Sequence, residues 1–308
     1  MTVLRRARVR VPCSTSNLGS GFDCLGLALD RHLTAEFWPG DAPLSVERTG
    51  TAARITLDRD HVYACFVAEL DRLETAVPPG KLVIRSDIPL GRGLGSSASA
   101  VVAGLLLAHA VLGQSRVDPR ALLPLAEERE GHPDNVAPAL LGGLVAVARA
   151  QDGSAHPIRL PLSDEIGFAF AAPDLEVPTP LARRALPEHV PHGVAARALG
   201  RTAALLHGLA LGDTSLLRIG FTDELHVPYR LPLIPGAQRA FAAARAAGAA
   251  AITISGSGSG LIAVCARGTE QVVAAAMAAA LQIENPGETL ALAMQPDATG
   301  ASILLEDS

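Results

Sequence analysis

The segment Ile88-Pro-Leu-Gly-Arg-Gly-Leu-Gly-Ser-Ser-Ala-Ser99 carries the strongest chemical signal in the chain. Its glycines let the backbone approach a ligand, and the apolar helix predicted to follow would aim free N–H groups and its positive dipole end at that ligand. This is the composition of a phosphate cradle. It is not a Walker A loop, because no Gly-Lys-Ser/Thr follows, and Gly91, Gly93 and Gly95 are not spaced as in the dinucleotide fingerprint. On spacing alone, a turn with serine helix caps fits as well.

Glu130-Gly-His-Pro-Asp-Asn135 places a carboxylate, an imidazole, a second carboxylate and an amide at a predicted helix end. Such a cluster is either a solvated loop end built on Asx turns or a metal carboxylate accompanied by substrate-orienting groups. Asp23 follows Gly19 and Gly21 in a loop that also holds Asn17, where a polar residue serves an Asx turn or binds a ligand. The run Ser255 to Gly260 alternates Ser and Gly between two apolar segments, which favours a tight loop lining a site over a linker.

The elements that must position these residues follow from periodicity. Leu4 to Val11 alternates arginine with apolar residues and predicts a strand, leading into a glycine-rich loop from Pro12 to Gly26. Lys81 to Ile88 predicts a strand and Ser99 to Leu112 a helix, giving a strand, glycine loop, helix unit. A second helix is predicted from Pro119 to about Glu130, ended by Gly131, and a strand at 144–149. Gln151 to Asp164, rich in Gly, Pro and Ser, is the expected domain boundary. Beyond it come predicted strands at Ile166–Ala171, Ala251–Ile254 and Leu261–Val264, with helices near Val194–Leu211, Gly236–Ala247 and Thr269–Leu281, an α+β set.

The 308 residues suffice for two domains, and 49% hydrophobic with 19% charged residues excludes intrinsic disorder. A net charge of −5 offers no global basic surface, so no nucleic-acid partner is expected. Cys13, Cys24, Cys65 and Cys265 form no C-x-x-C pair, which signals neither a metal cage nor a disulfide framework and fits a reducing, cytoplasmic setting. The basic N-terminus lacks the apolar core of a secretory signal, and Ala98 to Leu112 reads as a buried helix, so no membrane association is expected. Lys81 is the single lysine, all other basic residues among the 26 Lys plus Arg being arginine.

Taken jointly, these segments resemble the GHMP kinase family. Val11-Pro-Cys-Ser-Thr-Ser-Asn-Leu-Gly-Ser-Gly-Phe-Asp-Cys-Leu-Gly-Leu27 is similar to its first motif, the Gly91 loop to its second and the Ser255 loop to its third. Within the family, Glu130 to Gly143, Thr179-x-x-Ala-Arg-x-x-Leu-Pro187 and Asp223-Glu-Leu-His-Val-Pro-Tyr-Arg230 resemble the branch that phosphorylates the hydroxyl of L-homoserine in threonine biosynthesis. The resemblance spans nearly the whole chain, in the family's order.

It implies a two-domain α+β GHMP kinase fold. An N-terminal domain like the second domain of ribosomal protein S5 (1–155) would bind ATP, a ferredoxin-like C-terminal domain (156–308) would follow, and ATP and homoserine would meet between them. Pro89, Leu90, Gly91, Arg92, Gly93, Leu94, Gly95, Ser96, Ser97, Ala98 and Ser99 would wrap the phosphates, with Ser97 and Glu130 as ligands of Mg2+, a cation suited to few protein oxygens plus phosphates and water. His61 falls where an asparagine often meets the adenine. Asp23 would take the substrate ammonium and Arg183 and Arg230 its carboxylate. Asn17, His132, Asn135, Thr179 and Gly258 complete the implied substrate shell. A homodimer is compatible with the resemblance.

Phosphoryl transfer proceeds through a loose transition state in which positioning and charge stabilisation supply most of the acceleration. The favoured mechanism is direct attack by the hydroxyl, oriented by Asn135, which cannot accept a proton as a carboxylate does. Asp134 is the alternative base, and Lys81, at the start of a strand, is a poor catalytic candidate. The sequence departs from the family pattern at Ser259-Gly260, where Pro-Thr or Pro-Ser is usual, and at Ser20, Cys13, Cys24 and His61. Two other readings stay open: a GHMP kinase for a different small alcohol, and a non-catalytic nucleotide-binding paralogue.

Overall fold

The alternation of arginine with apolar residues near the start of the chain forms β1 (Ala7–Asn17), with Ala7, Val9 and Val11 buried and Arg8 and Arg10 half-buried. The structure is a computed structural model that describes residues 5–304, so Leu4, expected to open this strand, lies outside the described residues. β1 does not stop at Val11. It runs to Asn17 and turns through residues 18–20 into β2 (Gly21–Pro39), so the stretch expected as a loop from Pro12 to Gly26 is an antiparallel hairpin. Asn17, Leu18 and Gly19 all adopt left-handed φ angles, of 74°, 46° and 73°. These reverse the chain quickly and let ladder pairing override the weak strand propensity of the glycines.

The chain continues through β3 (Ser45–Gly50), α1 (His61–Arg72), β4 (Gly80–Ser86), α2 (Ser96–Val111), α3 (Pro119–Glu130), α4 (Pro133–Leu141), β5 (Leu144–Arg149) and β6 (Ala155–Leu160). It then forms β7 (Ile166–Ala172), α5 (Thr179–Arg184), α6 (His192–Leu211), α7 (Thr214–Gly220), α8 (Val227–Arg230), α9 (Ala237–Ala246), β8 (Ala251–Ile254), β9 (Leu261–Ala266), α10 (Glu270–Gln282), β10 (Leu290–Met294) and β11 (Ser302–Leu304). Among the described residues these strands build two sheets. The first has the order β11-β1-β2-β4-β3, with β5 paired to β2 and β6 to β5, and the second is antiparallel in the order β10-β7-β9-β8. This is the expected α+β architecture. The Gly/Pro/Ser-rich stretch expected as a boundary contains β6, which pairs antiparallel with β5 from Ala155 to Leu160, and β11 also returns from the far end of the chain to β1. The first sheet therefore extends past residue 155.

α2 is apolar around its whole circumference, and from Ala98 to Val111 every residue is buried. It packs mainly on α1, β1, β2 and α3. In β7 the two faces divide by size. Phe168 and Phe170 join the large core shared with α2 and the first sheet, while Ala169 and Ala171 face the second core beneath α9 and α10. The period of two thus places large rings toward the first sheet and small side chains where helices must approach closely.

Candidate active site

One cavity of about 300 Å3 is lined by strands of the first sheet, the start of α2, the turn between α3 and α4 and the loop between β8 and β9, and it collects residues from every segment singled out above. Its centre is the start of α2. The residue before that helix, Gly95, has no side chain to cap it, so the first-turn N–H groups are left for a ligand. An uncapped N-terminus of a 16-residue helix is a favourable place for an anion. Gly91, Gly93, Gly95, Ser96 and Ser97 line the cavity here.

Most of the remaining residues of the glycine-rich loop face elsewhere. Pro89 and Arg92 line a neighbouring cavity, where Arg92 pairs with Asp174 at 2.5 Å. Leu94 and Ala98 are buried in the core, and Ser99 donates its hydroxyl to the Pro12 carbonyl at 2.8 Å. Leu90 faces both cavities.

The turn between α3 and α4 supplies the polar cluster. Asp118 caps α3 by accepting from the Arg120 N–H, Gly131 ends it in a left-handed conformation (φ 87°), and Pro133 opens α4. Only Gly131 and His132 separate the helices, so Glu130, His132, Asp134 and Asn135 converge on the cavity wall. Ser97 donates to Glu130 Oε2 at 2.7 Å. Burial pushes the Glu130 carboxyl above its ordinary value, against the lowering effects of the Ser97 bond and of His132 and His61. A hydroxyl and a desolvated carboxylate side by side beneath an anion-binding helix start are hard oxygen donors that fit Mg2+. Among the described residues no group of three His, Cys, Asp or Glu side chains forms a metal cage, so phosphate and water would have to complete such a site.

Asn135 is locked in place. Its amide Nδ2 donates to Ser16 Oγ at 2.9 Å and its Oδ1 accepts from Ser14 Oγ at 3.0 Å. Ser14 and Ser16 were missed as site residues. The available signal was their i, i+2 spacing, which puts both hydroxyls on one face of a strand. Asp134 is buried, and its Oδ1 lies 2.6 Å from His132 Nδ1. Burial alone would lower the His132 pKa, but the bond to Asp134 and the charges of Asp134 and Glu130 outweigh it and hold the ring above its ordinary value.

At the other end, Arg183 of α5 grips Asp23 of β2 with both nitrogens, at 3.0 and 3.1 Å. Asp23 has a left-handed φ of 54°, and its N–H donates to Asn17 Oδ1 at 2.9 Å. Arg230 is 2% exposed and donates to the carbonyls of Ala182 (3.2 Å) and Gly256 (3.3 Å). Its guanidinium lies 5.1 Å from the Phe22 ring centre, and His226 stacks on the same ring at 5.1 Å. Phe22 and His226 therefore shape the site, although neither was singled out from the sequence. The Ser255 loop ties the parts together. Ser255 Oγ donates to the Gly93 carbonyl at 2.6 Å, Gly256 O accepts from Asn17 Nδ2 at 2.8 Å, and Ser257 meets Thr179 at 3.4 Å between hydroxyls. Thr179 and Gly258 also line the cavity.

The third region of the cavity is a slot lined by the apolar Leu33, Ala52, Ile55, Val62 and Ile84 and by Arg48, Arg59, Asp60 and Ser86, with His61, the first residue of α1, beside them in sequence. Lys81 is outside the cavity, paired with Glu47 at 2.5 Å. Of the departures from the family motifs, Cys13 has its thiol pushed up to about 12 by burial, and Ser259 Oγ donates to the Leu175 carbonyl, so both serve packing.

Comparison with known proteins places the chain in a family. Residues 60–143 match the GHMP kinases N terminal domain and residues 204–283 the GHMP kinases C terminal model. The homoserine kinase of Moorella thermoacetica is 43% identical over 276 residues, covering 88% of this chain and 91% of that protein. The homoserine kinase of a Synechococcus strain is 40% identical, covering 88% and 90%. The crystal structure of homoserine kinase from Cytophaga hutchinsonii superposes with a TM-score of 0.82 at 30% identity, over 97% of each chain. L. major mevalonate kinase, at 18% identity and a TM-score of 0.67, shares the fold. The chain belongs to the GHMP kinase family and, within it, to the homoserine kinases.

Proposed function

We propose that this chain transfers the γ-phosphoryl group of ATP to the side-chain hydroxyl of L-homoserine, giving O-phospho-L-homoserine. The observation that carries the reading is a single cavity with an uncapped helix start beside the Ser97–Glu130 pair at its centre and two arginines with an aspartate at one end. ATP would lie with its base in the Leu33–Ile84 slot near His61 and its phosphates on Gly91, Gly93, Gly95, Ser96 and Ser97. Ser97 and Glu130 would hold Mg2+, which when bound draws charge from the phosphate oxygens. Asp23 would take the ammonium, Arg183 and Arg230 the carboxylate, with Asn17, His132, Thr179 and Gly258 around them.

Asn135, fixed by Ser14 and Ser16, would orient the attacking hydroxyl. The hydroxyl oxygen bonds to the γ-phosphorus as the bond to the β–γ bridging oxygen breaks, and the hydroxyl proton leaves on the transferred phosphoryl group. No dedicated base is required. Asp134 is poorly placed for that role, because its Oδ1 is engaged by a histidine whose pKa it raises. An ADP-release assay with L-homoserine tests the reading: turnover is expected, and turnover only with another alcohol would overturn it. For the base, Asp134→Asn should keep measurable turnover, whereas near-complete loss with intact folding and substrate affinity would assign Asp134 that role.

The reading also treats the two sheets as two domains, an N-terminal one near 1–155 extended by β6 and β11 and a C-terminal one over the rest. A homodimer in the cytoplasm is the expected setting, and light scattering of the purified protein reads the assembly.

A further inference from the structure

The two side chains expected to receive opposite charges of the substrate are bonded to each other. Arg183 and Asp23 form a two-pronged pair across the cleft between α5 and β2, each side chain about two-fifths exposed (40% and 39%), and both line the cavity. Arg230 lies directly behind, its Nε bonded to the carbonyl of Ala182, the residue before Arg183. Among the described residues its hydrogen bonds run to the neutral carbonyls of Ala182 and Gly256, while the carboxylates of Asp23, Asp134 and Asp223 act on this nearly buried cation only through space. The site thus holds one two-pronged ion pair and, behind it, a second guanidinium with no carboxylate hydrogen-bonded to it among the described residues.

We propose that the Arg183–Asp23 bridge is an exchange lock, which biases acceptor binding toward a ligand that carries an ammonium and a carboxylate together. This rests on the functional reading above and deepens it. A carboxylate can reach Arg230 unaided, but it gains Arg183 only by displacing Asp23, which is then left unpaired. An ammonium gains Asp23 only by stripping Arg183, which is then left beside Arg230. A zwitterion supplies both replacements at once, so its two charges reinforce each other, whereas either charge alone breaks a pair without completing one. Specificity then comes from the penalty on the wrong ligand as much as from contacts to the right one. An exposed pair of this kind is weak, so the lock is worth about threefold to fivefold in affinity.

The test is a set of dissociation constants from NMR titration of the ATP-binding protein with L-homoserine, 4-hydroxybutyrate, which lacks the ammonium, and 3-aminopropan-1-ol, which lacks the carboxylate. Asp23→Asn should weaken homoserine yet tighten 4-hydroxybutyrate by about threefold to fivefold, since Arg183 is released. Arg183→Gln should weaken homoserine yet tighten 3-aminopropan-1-ol by a similar factor. If homoserine binds the wild type and either crossover is missing, the lock is wrong. If the wild type does not bind homoserine, the functional reading itself falls. Retained ATP affinity certifies the fold of each variant, with Asp23→Ser and Arg183→Met measured alongside so that one misfolded substitution does not decide the matter.

Discussion

Gly93→Ala isolates the packing between the phosphate loop and the Ser255 loop. Gly93 has a left-handed φ of 76°, and a methyl group there would stand 2.9 Å from the Ser255 carbonyl carbon, inside contact distance of that carbonyl's oxygen, and 3.4 Å from the Gly258 nitrogen. All these atoms are backbone, so no rotamer change relieves the overlap. The left-handed conformation costs an alanine about 1–2 kcal/mol. Separating the loops breaks the 2.6 Å bond from Ser255 Oγ to the Gly93 carbonyl, worth about 1 kcal/mol. Together these give a loss of roughly 2–3 kcal/mol, which lowers Tm by about 5–10 °C if the domain behaves as one of ordinary size. Displacing the loop by about 1 Å should also reduce kcat/KM by about a hundredfold. Gly153 is the control: its φ is 83°, but nothing lies within 4 Å of an added methyl. Gly153→Ala should lose a few degrees of Tm through strain and keep full activity. The assay is ADP release with saturating L-homoserine, beside thermal melts of both variants. If Gly93→Ala keeps kcat/KM within about threefold of wild type, the loop contact does not set the phosphate geometry.

Three further outcomes follow from the charged groups. The Glu130 carboxyl is raised above its ordinary 4.5 by burial, so the stability it contributes is present below that pH and lost as pH rises through the folded value. Glu130→Gln should therefore raise Tm at pH 8 without divalent cations while abolishing turnover, and an unchanged or lower Tm would show that burial of this charge is not destabilising. His132 is held above its ordinary 6.5, so its contribution is complete below that pH and fades as pH rises through the folded value. Asp134→Asn should move the His132 NMR titration downward, and an unmoved midpoint would contradict the cause assigned. Arg230→Lys keeps the charge but loses the fork that holds the Ala182 and Gly256 carbonyls, so KM for homoserine should rise about tenfold to a hundredfold with KM for ATP unchanged. A parallel rise in both constants would mean that the substitution disturbs the fold rather than the acceptor end.

Much of the helical framework was legible because its signals are local. α3 runs from Pro119 to Glu130, as the glycine after its last turn indicated, and α6, α9 and α10 lie within a few residues of their expected bounds. The strands were less legible. The segment after Val11 looked like a loop because glycine and serine have low strand propensity, yet three left-handed residues at 17–19 fold it into a hairpin whose partners are fixed by the sheet. β6 was hidden for a similar reason, since its pairing with β5 is a property of the sheet and not of its own weak pattern.

The site divides along the same line. The inventory could be read along the chain: the glycine-rich loop before an apolar helix, Glu130 and Asn135 at a helix junction, Asp23, Arg183 and Arg230, and a single lysine. Residue types and short spacings suffice there, because helix starts, caps and turns are built from neighbours in the chain. Which of these groups touch is a property of the folded chain. Ser97 meets Glu130 across 33 positions, Asn135 is clasped by two serines about 120 positions away, and Arg183 holds Asp23 from 160 positions away. The fold also turned Leu94, Ala98 and Ser99 of the glycine-rich loop into the core and Arg92 toward Asp174. Contacts over such separations depend on how two sheets and their helices share one core, and side-chain spacing along the chain carries no record of that packing.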